Sequence, residues 1–261
     1  AETLSVANRS TVRARGSAVT PPRKPQVRLR YSKLGKLRFT SHRDMARIWE
    51  RSVRRLQLPI AYSEGFSPRA KLSFGLALPT VFESQAEFVD LTFNERVAVD
   101  TLPGQLTDVL PQGITVTGAV ALEGKVASLQ ETVEATSWSL FVDGDLDELQ
   151  AWSTDLLAAD ELLVTRERKG KSSTDDVRPA LLAADVRPNT DTDVPATVEI
   201  YAELATKPRA LRPLELLDIK SPDLTLLRGR RINQFITPVG ARLDPLEVGA
   251  AAEAHDLSCA S

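Results

Sequence analysis

The sequence predicts an α+β fold in which two tandem units share the element order β-α-β-β-α-β. Short segments that alternate apolar and polar residues, typical of half-buried strands, recur in both halves of the chain. Segments with helical periodicity lie between these strands in each half. A chain of 261 residues is also long enough for two domains that each bury a core.

The first unit is predicted over residues 26–124. It begins with a strand at 26–31, where apolar residues alternate with arginines. A helix follows from residue 42 to about 56, because Ser41 and Asp44 have the spacing of a capping box and an apolar stripe runs behind them. The later elements are strands at 71–74 and 87–93, a weaker helix at 97–110 and a strand at 114–122.

The second unit is predicted over residues 131–243. Its elements are a strand at 136–142, a helix at 145–159, a strand at 161–168 with a hairpin partner or extension after the 170–176 loop, a strand at 197–204, a short helix at 212–220 and a strand at 224–232. This order predicts two tandem ferredoxin-like (βαββαβ) domains. Residues 1–25 are predicted to be a disordered basic arm, and residues 244–261 a flexible tail.

Charge is distributed unevenly along the chain. Residues 1–75 hold 17 Lys and Arg against 4 Asp and Glu, a net charge of +13, whereas the remaining residues hold 16 against 31, a net charge of −15. Separation of this size within one chain indicates that the basic end meets a polyanion while the acidic part maintains solubility.

Composition narrows the class of protein. The single cysteine, Cys259, cannot build a disulfide framework, a cysteine-rich zinc site or an iron–sulfur cluster. Apolar runs are shorter than the ~18 residues of a membrane helix, and the N-terminal residues do not form a signal peptide. We therefore expect a cytoplasmic protein that contacts no membrane and carries no metal or cofactor.

Arginines dominate one face of the predicted helix at 42–56. Arg43, Arg47, Arg51 and Arg54 are spaced 4, 4 and 3 residues apart and form a ridge about 16 Å long, here called the arginine ridge. Guanidinium groups suit phosphate because their donor fork binds two oxygens together. Arg38 adds to this basic end, and the alternative is an ordinary solvated helix face.

Aromatic and cationic residues alternate in the next segment, here called the 62–71 loop. Tyr62, Phe66, Arg69 and Lys71 are the types that stack on unpaired bases and hold the adjacent phosphates. The alternative is a well-packed loop with Phe66 and Phe74 in the core and Gly65 at a turn.

A second basic cluster lies in the other half. Its members are predicted to bind nucleic acid and are Arg166, Arg168, Lys169 and Lys171. If their strand and the last strand shared one sheet, they would meet Arg228, Arg230 and Arg231 on a common surface.

His42 is the one candidate for catalysis. It lies at a helix start, and with Tyr62, Arg69 and Lys71 it could act as an acid or base in a metal-free RNA-cleaving site. A lone histidine at a helix start is more often structural. No nucleophile triad or set of metal ligands stands out in the sequence, which favours a protein that is not an enzyme.

Several segments together resemble a known family. They are residues 37–45 (LRFTSHRDM), 61–69 (AYSEGFSPR), 71–75 (KLSFG), 176–179 (DVRP) and 212–213 (RP). Over about residues 26–235 the chain is similar to the radical-SAM-linked domain family of uncharacterised bacterial proteins. This resemblance implies a separate radical SAM enzyme as a partner, because the chain itself has no three-cysteine motif. The tandem architecture also resembles the CRISPR repeat-processing endonucleases, at the level of fold only.

The sequence thus favours an RNA-binding accessory protein in RNA modification or maturation that is non-catalytic by itself. The first alternative is a module that docks on a radical SAM enzyme. The second is a metal-free ribonuclease that uses His42.

Overall fold

A mainly antiparallel β-sheet extends through both halves of the protein. The structure is a computed structural model that describes residues 23–124, 126–219, 224–236 and 242–247. The predicted arm is described only from Arg23, and the predicted tail only to Glu247. No helix in these ranges is long and apolar enough to cross a membrane.

The first half contains the predicted elements in the predicted order. They are β1 (Gln26–Lys33), α1 (His42–Arg55), β2 (Leu72–Phe74), β3 (Glu83–Thr92), α2 (Leu102–Val109) and β4 (Val116–Leu122). The strands lie side by side in the order β4-β1-β3-β2, and each neighbouring pair is antiparallel.

The second half follows a short helix, α3 (Leu129–Thr132). Its elements are β5 (Val133–Val142), α4 (Leu146–Ala158), β6 (Leu163–Arg168), β7 (Lys171–Asp176), β8 (Leu181–Pro188), β9 (Val198–Ala205), α5 (Pro213–Asp218) and β10 (Leu226–Ile236). Within the sheet these strands take the order β10-β5-β9-β8, again with antiparallel neighbours.

The predicted position of the strand at 161–168 in the main sheet is wrong. β6 and β7 pair only with each other and form a separate two-stranded sheet. The place beside β9 belongs to β8, which lies where the sequence predicts a hairpin partner or extension of the 161–168 strand. The 170–176 segment, predicted to be a loop, instead contains β7. Two alanines, an aspartate and a proline in its eight residues give β8 weak strand propensity, so pairing with β9 rather than local preference determines it.

The two halves are joined by hydrogen bonds between β3 and β10. These strands are parallel, with Glu83 opposite Arg230 and Ser84 opposite Arg231. Phe82, at the start of β3, packs edge-on against Trp138 of the second half with ring centroids 5.4 Å apart. Gly229 allows this approach, since a Cβ there would lie 2.2 Å from Phe82 Cε1.

Each half has its own apolar core against one face of the sheet. In the first half α1 and α2 cover β1 and β3, and Leu29, Trp49 and Leu106 are fully buried. The second core is centred on β5, β9 and α4 and includes Leu140 and Leu156. The helices therefore occupy one face of each half and leave polar residues on the opposite side of α1 exposed.

The first residues of the predicted flexible tail are ordered instead. Pro245–Glu247 form a short helical turn behind the first half of the sheet. Asp244 pairs with Arg30 at 3.2 Å, and Pro245 O accepts a hydrogen bond from the buried Arg28 at 3.3 Å. Leu246 packs against a third apolar cluster that includes Phe88.

Candidate nucleic-acid interface

Ser41 is the N-cap of α1, as its spacing from Asp44 predicts, but the Asp44 side chain accepts from the Ser41 hydroxyl and not from its N–H as in a full capping box. Ser41 Oγ accepts a hydrogen bond from the Asp44 N–H at 3.2 Å, and the Ser41 hydroxyl donates to Asp44 Oδ2 at 2.7 Å. That hydroxyl, with a further contribution from Arg47, lowers the pKa of Asp44. On the inner face Met45 and Trp49 are buried. The cap and the apolar stripe together fix which face of α1 is presented to solvent.

The arginine ridge lies on that exposed face. Arg47 pairs with Asp44 at 3.1 Å, where both side chains are about half exposed. Within the described residues no carboxylate lies within 4.0 Å of the guanidinium groups of Arg43, Arg51 and Arg54. The ridge therefore concentrates positive charge that the described part of the protein does not neutralise.

The 62–71 loop has a hydrogen-bonded base and an exposed tip. The Ser63 N–H donates to Arg69 O at 2.8 Å, and the Lys71 N–H donates to Ala61 O at 2.8 Å. Beyond this base Phe66 is fully exposed, and Tyr62 is 41% exposed. The alternative that Phe66 lies in the core is therefore wrong.

The ridge and the loop meet at a shallow depression of about 210 Å³. It is lined by Arg43, Ala46, Arg47, Glu50 and Arg69. Arg69 is exposed, and its own N–H donates to Ser63 Oγ at 3.0 Å. Three arginines from two separate segments thus line one depression, where Glu50 is the one acidic lining residue among the described residues and Asp44 pairs with Arg47.

Arg38 and Lys71, the other cations predicted for this surface, are not among the residues that line the depression. The guanidinium of Arg38 stacks over the Phe39 ring at 4.6 Å and approaches Glu83 at 3.8 Å. Phe39 is 57% exposed, and sequence reasoning missed it because it lies inside a segment of mixed polarity. Lys71 is exposed beside the base of the loop.

His42 is exposed at the start of α1 and packs edge-on against Phe74, with ring centroids 5.2 Å apart. Among the described residues no side chain forms a hydrogen bond with the His42 ring. The structure thus provides this histidine with an aromatic neighbour, whereas a general acid–base pair needs a polar one.

The second predicted basic cluster is divided by the structure. Arg166 binds Glu215 through two hydrogen bonds, of 2.7 and 2.6 Å, so its fork is occupied inside the protein. Burial alone would raise the pKa of Glu215, but the hydrogen bonds from Arg166 and Arg212 outweigh it and lower that pKa. Lys169 and Lys171 are exposed at the tip of the β6–β7 hairpin. The side chain of Arg168 lies outside the described residues.

The common surface expected with the arginines of β10 does not form, because β6 is not in the sheet of β10. Arg230 pairs with Glu83 at 3.0 Å and with Asp191 at 2.8 Å. Arg231, only 3% exposed, pairs with Glu87 at 2.9 Å. These arginines serve the junction between the two halves.

Comparison with protein families places this geometry in context. The model of a family described as an uncharacterized protein conserved in bacteria, DUF2344, matches residues 26–213, which is more than half of the chain. The chain belongs to this family. The matched residues of this DUF2344 protein include the arginine ridge, the 62–71 loop and the β6–β7 hairpin. No curated protein matches the sequence.

Proposed function

We propose that this DUF2344 protein binds RNA through the surface formed by the arginine ridge and the 62–71 loop, as an accessory protein in RNA modification or maturation. The observation that carries the proposal is the depression where Arg43, Arg47 and Arg69 converge. Positive charge alone would fit any anion, whereas exposed aromatic rings beside it favour an unpaired nucleic acid strand.

The ridge would hold the backbone of the strand. Arg43, Arg51 and Arg54 are exposed and have no carboxylate within 4.0 Å among the described residues, so their donor forks are available to phosphate oxygens. The N-cap at Ser41 and the buried apolar stripe keep α1 in place, so these guanidinium groups start from a fixed backbone.

The 62–71 loop would hold the bases. Phe66 is fully exposed on a tip whose base is closed by backbone hydrogen bonds, and Tyr62 lies at that base. An exposed phenyl ring offers stacking that is worth about 1–3 kcal/mol per base. Arg69 adds an exposed cation to the same loop. The loop thus provides the sequence-tolerant stacking that single-strand binders use.

We further propose that both halves are ferredoxin-like repeats, as the sequence predicts. Each half places its fourth strand beside the first, the first beside the third and the third beside the second, once the β6–β7 hairpin is treated as an insertion. The chain order β-α-β-β-α-β within each half agrees with this interpretation.

An acidic partner protein, such as the radical SAM enzyme that the family resemblance implies, is the alternative occupant of the ridge. Cleavage by His42 likewise stays a prediction of the sequence. One set of RNA-binding and cleavage assays distinguishes the three functions. If the wild-type protein cleaves RNA and His42→Ala still binds RNA but no longer cleaves it, the protein is a ribonuclease. If the wild-type protein does not bind RNA, docking on a partner protein is favoured.

The proposed function is tested by equilibrium binding of the full chain to pooled cellular RNA across a salt series. If about four phosphates are held, the log–log salt slope is about −3 for a single strand. The variant that changes Arg43, Arg47, Arg51 and Arg54 to Glu is expected to lose binding at every salt concentration. Absence of wild-type binding even at low salt contradicts the proposal.

A further inference from the structure

The β6–β7 hairpin has an edge that faces α5 across a groove. The groove has a volume of about 560 Å³ and is lined by residues 161–165 together with Glu215, Asp218 and Ile219. The face of a strand contributes only alternate residues to a surface. The unbroken run 161–165 therefore indicates that the edge of β6, rather than one of its faces, lines the groove.

The turn of the hairpin determines which backbone groups point into this groove. Lys169 and Gly170 have φ of 53° and 73°, and they form the two-residue turn between β6 and β7. In a turn of this kind the flanking pair is hydrogen-bonded, and hydrogen-bonded pairs then alternate along the ladder.

At the far end of the ladder Leu162 and Val177 form a hydrogen-bonded pair, as this alternation requires, because the Val177 N–H donates to Leu162 O at 2.8 Å. Leu163 and Thr165 therefore occupy non-hydrogen-bonded positions, and their N–H and C=O groups point away from β7. Among the described residues no strand pairs with this edge of β6. It is thus an open edge of the type that accepts an added strand.

The side chains around the edge define the chemistry of a ligand. Glu161, Glu215 and Asp218 line the groove, and within the described ranges 126–219 and 224–236 no cationic residue lines it. Glu215 is already bound by Arg166, whereas Glu161 and Asp218 are exposed. Leu163 is 57% exposed and provides an apolar contact. The groove is thus acidic, partly apolar and bordered by unpaired backbone.

We propose that this groove binds an extended, basic segment of a partner protein, which adds as a third strand to β6. The backbone of the segment pairs with Leu163 and Thr165, and its cationic side chains lie beside Glu161 and Asp218. This binding surface is independent of the proposed RNA interface, which lies in the other half. The protein would then connect a basic polypeptide to an RNA strand.

The test uses the full chain and a capped ten-residue peptide of alternating valine and arginine as the probe. Hydrogen exchange of the Leu163 and Thr165 amides, followed by NMR, reports directly on the edge. The peptide is expected to slow both amides at least tenfold, and a peptide of alternating valine and glutamate leaves them unchanged. Fast exchange at millimolar valine–arginine peptide would overturn the proposal.

The hairpin provides a matched pair of variants. Thr165 and Thr174 are opposite each other, are both exposed and share a hydroxyl–hydroxyl hydrogen bond of 2.8 Å. Thr165→Pro removes the N–H at the groove edge, whereas Thr174→Pro removes an N–H at the opposite edge of the hairpin. Peptide binding is expected to be lost in the first variant and retained in the second. Equal loss in both would contradict strand addition to β6.

Charge and occupancy are tested separately. Asp218→Lys changes an exposed side chain and is expected to weaken peptide binding at least tenfold. This variant tests the proposal even if a proline variant fails to fold. Slow exchange of Leu163 and Thr165 without peptide would overturn the partner assignment. In that case, faster exchange of the two amides in the double variant Arg13→Glu with Arg15→Glu would show that this chain's own N-terminal residues occupy the edge. Faster exchange on dilution would show that a second copy of the chain occupies it.

Discussion

The arginines of α1 and those of β10 have opposite surroundings. In α1, Arg43 has no carboxylate within 4.0 Å among the described residues, whereas in β10 Arg230 and Arg231 each bind one directly. The difference comes from β3, which places Glu83 and Glu87 beside β10. The density of cations along a sequence therefore does not locate a surface for polyanions. Whether a group of cations is available to a polyanion depends on the acidic residues that the fold places beside it.

The largest expected effect is a loss of stability when one of the paired arginines of β10 is removed. Arg231→Ala leaves the buried carboxylate of Glu87 without its partner, and breaking such a pair costs about 3–5 kcal/mol. We expect a loss of that order in the free energy of unfolding, measured in urea. The double variant Glu87→Leu with Arg231→Met removes both members of the pair and is expected to lose less. If the single and double variants were equally stable, the pair would not have this structural role.

The close approach at the junction predicts a second loss of stability. Gly229→Ala places a Cβ 2.2 Å from Phe82 Cε1, and overpacking of this kind costs about 1–3 kcal/mol. Gly104→Ala in α2 is the matched control, because nothing lies within 4 Å of the added Cβ. The midpoint temperature of thermal unfolding is expected to fall for Gly229→Ala and to stay level or rise for Gly104→Ala. Equal midpoints would contradict the packing described for Phe82.

Substitutions on the exposed surface of the arginine ridge and the 62–71 loop are expected to weaken RNA binding without reducing stability. Phe66→Ala removes a fully exposed ring and is expected to weaken RNA binding by the stacking contribution of about 1–3 kcal/mol. Its salt slope stays that of the wild type, since no charge is removed. Leu182→Ala, at a 40% exposed position in β8, serves as the control and is expected to bind normally. A large fall in the unfolding midpoint of Phe66→Ala would place the ring in the core instead.

The smallest expected effect is that of single neutralisations on the same surface. Arg51→Gln or Lys71→Gln removes one exposed cation, and each lost phosphate contact reduces the log–log salt slope by about 0.7 for a single strand. The measurement is the same salt series, with circular dichroism to establish that the helix content is unchanged. A slope equal to that of the wild type would remove that residue from the interface.

Local signals in the sequence predicted α1 well. Ser41 and Asp44 have the spacing of a cap, and the buried Met45 and Trp49 repeat at helical intervals, so neighbouring residues alone determine the start and the orientation of the helix. The exposure of Phe66 was left open, because a phenylalanine next to a glycine is equally compatible with a core or a tip.

Long-range pairing was beyond the reach of the sequence. β6 pairs with β7 and β8 pairs with β9, each with its neighbour in the chain, so the local pattern does not show that β8 rather than β6 enters the main sheet. The ion pairs of Arg166, Arg230 and Arg231 depend on long-range pairing, since their acids lie 49, 147 and 144 residues away. For the same reason sequence reasoning grouped these arginines with a nucleic-acid surface.

The most direct test compares two charge-matched triple variants in one RNA-binding assay. Arg43, Arg47 and Arg51 are changed to Gln in the first variant, and the exposed Arg96, Lys207 and Arg212, which are not among the predicted nucleic-acid-binding residues, in the second. Both lose three positive charges, so a general electrostatic effect weakens RNA binding equally. We predict that the first variant loses affinity and that the second binds like the wild type. Equal affinities of the two variants would contradict an RNA interface on α1.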